Sequence, residues 1–223
     1  MIMDLTSASR AALCMLIGLS GLGDVVRAQT FSADLVTRNV GFQPGGQGRV
    51  YVSGGNVRIE TPGFADGFFI VDGDRAAAWF VQPRRELVMD ARQSTPLTQL
   101  LVRVDPDDSC RQWVVMERVA GVTGEGGEWR CRLLGADLVD GRETKKYEVI
   151  SRRNRRSYRW IDPQREFLIR LETEDGTVVA LENIVDAPQP LSLFAVPPSY
   201  RTFDPAQLIN QMKQSDVWVE PPR

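Results

Sequence analysis

Apolar and polar residues alternate down much of this chain, with the two-residue period of strands that keep one face in a core and one in water. The stretch GRVYVSGGNVRIET, residues 48–61, shows it most plainly. Folded about Gly54 and Gly55, it sets Val52 against Val57 and Val50 against Ile59 on one face. The other face sets Tyr51 against Arg58 and Arg49 against Glu60. Two glycines suit the positive φ angles of a tight hairpin turn, and Arg49 with Glu60 suits a cross-strand charge pair. FFIVDGDRAAAWFV, residues 68–81, predicts a second hairpin turning at Gly73 and Asp74, with Asp72 against Arg75 and Phe69 against Ala78. KKYEVISRRNRRSYRWID, residues 145–162, places Tyr147, Val149, Tyr158 and Trp160 around a basic turn, and FLIRLETEDGTVVALENI, residues 167–184, turns at Asp175 and Gly176. With residues 31–38, 86–91 and 128–139, the pattern predicts about ten strands, antiparallel because short turns link neighbours.

Helical spacing is scarce. TPLTQLLVRV, from Thr95, offers Thr95 as a cap and Pro96 at the first helical position, followed by Leu97, Leu100 and Leu101. DDSCRQWVVMERVAG, residues 107–121, spaces Trp113, Met116 and Ala120 as one helical face and ends at Gly121. DPAQLINQMKQ, from Asp204, places Leu208, Ile209 and Met212 on one side. So large a sheet twists and curls toward a barrel or half-barrel. Two or three short helices would fill its concave side without covering it, which leaves room for an apolar cavity. The expected fold is mainly β: a curled antiparallel half-barrel of about ten strands with a few short helices on the concave face.

The first 28 residues change the picture of where the chain works. Arg10 precedes the apolar run AALCMLIGLSGLG, and Val26, Arg27 and Ala28 form a small-x-small site. This is the layout of a secretory signal peptide cut near Ala28. The run is shorter than the ~20 residues of a membrane span, although an uncleaved anchor is the alternative. Cys14 follows Leu13, not a small residue, and is not read as a lipidation site. The expected organisation is a signal peptide at 1–28, one domain at 29–205, and a C-terminal helix with an extended tail at 206–223. No internal repeat or linker marks a second domain.

Composition then narrows the chemistry. A net charge of −2 gives no reason to expect nucleic-acid binding. The sequence holds no histidine, so Ser-His-Asp and Cys-His catalysis and histidine-ligated metals are excluded. Past residue 28 only Cys110 and Cys131 remain, an even pair that reads as a disulfide in an exported protein, with two buried thiols as the alternative. Carboxylates, Lys, Ser, Thr and Tyr are left for catalysis, and no motif gathers them. The expectation is a non-enzymatic protein without a cofactor. Asp105, Asp107 and Asp108 lack calcium-loop spacing and read as caps for the helix that carries Cys110.

Five stretches, in order, resemble the LolA/LolB-like superfamily of periplasmic lipoprotein-sorting chaperones and their relatives. GRVYVSGGNVRIETPG resembles its first hairpin, FFIVDGDRAAAWFVQPRRELVM its Trp-containing strand pair, and STPLTQLL its short helix. RWIDPQREFLIRLETEDGTVVALENI and PLSLFAVPPSY resemble its closing strands. The likeness runs from Phe31 to about Pro205, and CRLLGADLVDGRETKKYEV is closer to an uncharacterised secreted branch than to the sorting chaperones proper. The resemblance implies a half-barrel whose cavity takes acyl chains, although relatives use the same scaffold as a stress-signal sensor or in biosynthesis. Two features depart from the sorting carrier. A strand begins at Phe31 with no preceding helix, and Ser53, Gly54 and Gly55 stand where the carrier has a basic residue before a proline. The cavity carries over; the carrier's latch does not.

The resulting expectation is a periplasmic binding protein for a lipid or a lipoprotein acyl chain. Phe69, Trp79, Leu97, Leu100 and Leu101 are candidates for the cavity wall or lid, or else for ordinary core. The basic tip Arg152, Arg153, Arg155 and Arg156 is a candidate contact for phospholipid headgroups or an envelope protein partner, or else a solvated turn that protects a sheet edge. The alternative function is an interaction or stress-sensor module that works through its surface without a ligand.

Overall fold

The computed structural model describes residues 29–38, 47–121 and 127–204. The signal peptide, its cut at Ala28, the helix and tail after residue 205 and part of the glycine-rich loop fall outside the described residues. Twelve strands form one open sheet in the spatial order β12-β6-β5-β4-β3-β2-β1-β11-β10-β9-β8-β7. They are β1 (Thr30–Arg38), β2 (Gly48–Ser53), β3 (Asn56–Glu60), β4 (Phe68–Asp72), β5 (Ala77–Gln82), β6 (Leu87–Asp90), β7 (Arg130–Val139), β8 (Arg142–Ile150), β9 (Arg156–Asp162), β10 (Phe167–Thr173), β11 (Val178–Asp186) and β12 (Arg201–Thr202). All neighbours are antiparallel except β12, which runs parallel to β6. Two α-helices lie among the described residues, the single turn α1 (Leu97–Leu100) and α2 (Arg111–Val119).

Alternation builds the core directly. Across five strands the register lines up Phe31, Val52, Val57, Val71 and Ala78 in one row, and Ala33, Val50, Ile59, Phe69 and Phe80 in the next. Every one of these side chains is buried in a single apolar cluster with Trp113 and Met116 of α2. That face is the concave one. Neighbouring strands lie ~4.8 Å apart, and β11 separates β1 from β10, yet Phe31 and Phe167 meet edge-on with ring centroids 5.4 Å apart. Side chains two strands apart touch because the sheet curls over them. Register shifts in β1 between Ser32 and Asp34 and in β10 between Leu168 and Arg170 sharpen the bend. The opposite, convex face carries smaller clusters, one of Ile70, Val81 and Val88 and one of Val139, Trp160 and Ile169.

The first hairpin has the expected register, Arg49 to Glu60 through Val52 to Val57, with Gly54 at φ 58°. Its charges pair differently: Arg49 binds Asp34 on β1, and Arg58 binds Glu60 on its own strand. The second hairpin differs from expectation. Its turn spans residues 73–76, so Asp72 faces Ala77, Val71 faces Ala78 and Phe69 faces Phe80. The Asp72 carboxylate accepts the Arg75 backbone N–H inside the loop, and Ala76 adopts φ 50°. This four-residue turn displaces the register by two positions and leaves each side chain on its expected face.

Cys110 and Cys131 form a disulfide with Cα atoms 6.2 Å apart, tying the start of α2 to the outermost strand β7. Asp105 accepts the backbone N–H groups of Asp107 and Asp108, and Asp108 accepts those of Cys110 and Arg111. Asp108 thus caps the entry to α2, as expected, while Asp105 orders the turn before it. No cluster able to hold a metal ion occurs among the described residues.

Candidate functional site: a cavity beside a buried guanidinium

Between the helices and one end of the concave face lies a cavity of about 700 Å³. Leu97 and Leu100 of α1 form one wall, Trp113 of α2 and Trp129 a second, and Leu171 of β10 with Val179 of β11 a third. The helices are fixed to each other, because the Trp113 indole N–H donates to the Leu100 carbonyl at 3.1 Å. Trp129 is held by its own N–H bond to the Glu117 carboxylate. The disulfide at Cys131 clamps the chain two residues beyond Trp129. The tryptophan wall therefore rests on a cross-linked helix, and the wall of Leu171 and Val179 on the sheet.

The tip of the β8–β9 hairpin stands at the mouth. Arg155 and Arg156 line the cavity together with Glu174 and Asp175. Arg156 lies 3.5 Å from Glu148 and 3.9 Å from Glu174. Arg152 and Arg153 are exposed in the turn and do not line it. The basic cluster thus divides into two rim cations and two outer ones.

Of the five apolar candidates, Leu97 and Leu100 line this cavity. Leu101 and Phe69 are buried in the main core, Phe69 against the rings of Phe64 and Phe80. Trp79 projects from the convex face, where it packs near Ile70, Val81, Val88, Val196 and Tyr200. It lines a separate cleft there, flanked by Arg75 and Arg92. Alternation along β5 requires this, since Ala78 and Phe80 on either side of Trp79 point into the core.

Sequence reasoning did not single out Trp129 or Arg159. Arg159 of β9 pairs across to Tyr147, which faces the core, so a cation points to the concave side. Its side chain is 5% exposed. The guanidinium lies 4.1 Å from the Trp113 ring centroid and 5.3 Å from that of Trp129. Nε reaches the Ser157 hydroxyl at 3.4 Å, and Nη1 has no hydrogen-bond partner among the described residues. No carboxylate forms an ion pair with it among the described residues. Burial draws its pKa well below the ordinary guanidinium range, to about 9, which the charge of Glu117 only partly opposes. The group therefore stays protonated at neutral pH. Contrast Arg165, also buried, which is bound on both sides by Asp162 and Asp186.

No family model matches the sequence, and no curated protein matches it. Solved structures do match in shape. An uncharacterised conserved protein from Thermus thermophilus matches at 12% identity and TM-score 0.46, over 80% of this chain and 91% of that one. PNGF-II matches at 10% identity and TM-score 0.49, over 84% of this chain and 34% of that one. MucB in the MucA/MucB complex of Pseudomonas aeruginosa matches at 17% identity and TM-score 0.39, over 74% of this chain and 55% of that one. This chain thus spans about a third of PNGF-II and about half of that MucB chain. At these identities and scores the likeness assigns neither family nor activity.

Proposed function

We propose that the protein is an exported, non-enzymatic binding protein that shelters the acyl chain of a lipid or lipoprotein in the cavity between its helices and its half-barrel. The observation that carries this reading is the 700 Å³ cavity, walled by Leu97, Leu100, Leu171, Val179 and two tryptophans. A site of that size falls within the usual range for small-molecule pockets. Taking up a chain would remove apolar surface from water on both sides, at about 25 cal/mol per Å². The secretory layout of residues 1–28 and the ordered motifs that resemble the LolA/LolB-like superfamily support a periplasmic setting. In this reading the single turn of α1 acts as the cover of the cavity, with the Leu97 N–H bonded to the Thr95 hydroxyl at its start, Thr98 and Gln99 donating to the Ala91 and Arg92 carbonyls, and Trp113 donating to the Leu100 carbonyl at its end.

Titration with an acyl-chain fluorophore tests the proposal. Wild-type protein should bind saturably at one site, and Leu100→Asp should weaken uptake at least tenfold while circular dichroism stays unchanged. Undiminished uptake in Leu100→Asp would remove this cavity as the site.

One observation favours a second reading. Strand β7 ends the sheet, and Leu133, Leu134 and Leu138 on it are exposed, Leu138 at 67%. Exposed edge strands are templates for pairing with another chain. As an interaction or sensor module, the protein would recruit an envelope partner along β7, with Arg152 and Arg153 nearby as charged contacts. Crosslinking from β7 and from the β8–β9 tip to one common partner, independent of added lipid, would favour this reading over the first.

A further inference from the structure

Arg159 poses a physical problem that the acyl-chain reading does not solve. A guanidinium taken out of water is costly unless paired and hydrogen-bonded, and stacking on two tryptophans offsets only part of that cost. Elsewhere this fold treats buried Arg differently: Arg165 has a carboxylate on each side. Arg159 has two aromatic faces, one long contact to a hydroxyl, and an Nη1 without a partner among the described residues. A hydrophobic residue would fill the same place without penalty. What sets Arg159 apart is its position in the wall of the 700 Å³ cavity.

We propose that Arg159 is the anion-binding anchor of this cavity, and that the ligand is a single-chain amphiphile with a carboxylate head, bound head-inward. The inference rests on the acyl-chain reading above and specifies its ligand class. The cavity is graded along its length. Arg155, Arg156, Glu174 and Asp175 are exposed at the rim, whereas Arg159 is buried beneath the tryptophans. At the rim Arg156 is paired with Glu148 and Glu174. Inside, Glu117 also lines the cavity and its charge reaches Arg159, but its carboxylate is bonded to the Trp129 indole and forms no ion pair with the guanidinium among the described residues. A carboxylate there would accept two parallel N–H bonds from the guanidinium fork, with the indole rings shielding the pair from water. The chain would then run outward along Leu97, Leu100, Leu171 and Val179.

Volume limits the number of chains. A methylene occupies about the space of one water, ~30 Å³ in the liquid. A cavity of about 700 Å³ therefore holds one long chain and its head, and not the two chains of a diacyl lipid. A phospholipid would also have to bury a phosphate with its polar substituent where only one cation waits.

The test uses the purified, delipidated protein and displacement of a fluorescent acyl probe by hexadecanoic acid, hexadecanol and butyrate, in wild type and in Arg159→Gln. The expected result is hexadecanoic acid binding at least ~10-fold tighter than hexadecanol in wild type, as a charge-assisted hydrogen bond implies. In Arg159→Gln the two should agree within about twofold, with hexadecanol unchanged. Arg159→Lys, which keeps the charge but loses the fork, should recover part of the preference. Equal binding of acid and alcohol by wild type would overturn the anchor and leave the acyl-chain reading standing. Butyrate binding as tightly as hexadecanoic acid would overturn it in favour of a site for small anions. Failure of both long chains to displace the probe would overturn both readings together.

Discussion

Replacing Arg159 with methionine should make the empty protein more stable. The guanidinium is 5% exposed and its pKa falls far below the ordinary guanidinium range, to about 9, chiefly through desolvation. At 1.36 kcal/mol per pKa unit, holding that charge in the fold costs roughly 5 kcal/mol. Losing the stacking on Trp113 and Trp129 gives back about 1–2 kcal/mol. Methionine has a similar length and an adaptable shape, so little is lost in packing. The net expectation is a gain of ~3 kcal/mol, within the range seen when buried ions are exchanged for apolar residues. In a chain of this size that corresponds to a rise in Tm of roughly 6–12 °C. The assay is urea unfolding of delipidated wild type and Arg159→Met, followed by tryptophan fluorescence. The sign with pH follows from linkage. Above about pH 9 the native wild type begins to shed this proton while the unfolded chain still holds it, so wild-type stability gains relative to the variant. The advantage of Arg159→Met should be full below about pH 9 and shrink above it. A loss of more than ~1 kcal/mol at neutral pH would refute the reasoning, since it would mean that the guanidinium already has a partner in the empty fold.

Other consequences of the structure can be measured alongside. Arg165→Met should behave oppositely, destabilising by ~3 kcal/mol or more, because it strands the buried Asp162 carboxylate; the same urea series reads it. Changing Cys110 and Cys131 together to serine should cost roughly 3 kcal/mol by releasing the loop across a separation of 21 residues, which thermal unfolding with and without reductant will show. Trp79→Ala should leave acyl-probe affinity within about twofold of wild type, since Trp79 lies on the convex face; a tenfold loss would implicate that face in ligand binding.

How much of this was legible in the sequence depended on turn length. Gly54 and Gly55 dictate a two-residue turn, and the hairpin around them has the register that the letters imply. At residues 73–76 the turn holds four residues, one of them Ala76 with positive φ, a conformation that alanine does not advertise. Because the displacement was even, the faces survived. The same parity put Phe69 and Trp79 on opposite faces, so they could never have lined one cavity. Arg159 shows the reverse difficulty. The loop at residues 151–155 could close with an odd or an even count, and a one-residue change flips every side chain of β9. Only the observed pairing of Tyr147 with Arg159 and of Val149 with Ser157 turns the arginine inward and Tyr158 and Trp160 outward. The apolar stripe of TPLTQLL was legible as a helix, but its partners Trp129, Leu171 and Val179 come from distant segments that no local pattern joins to it.

The central claim is that the cavity beside α1 and α2 holds an acyl chain. Native mass spectrometry of the protein, purified gently without detergent and followed by solvent extraction of the same sample, tests it most directly. The account predicts one single-chain lipid per protein, lost in Leu100→Asp and retained in Trp79→Ala. A clean ligand-free mass that stays unchanged after incubation with hexadecanoic acid or phospholipid vesicles would contradict it, and would leave the exposed edge of β7 as the working surface.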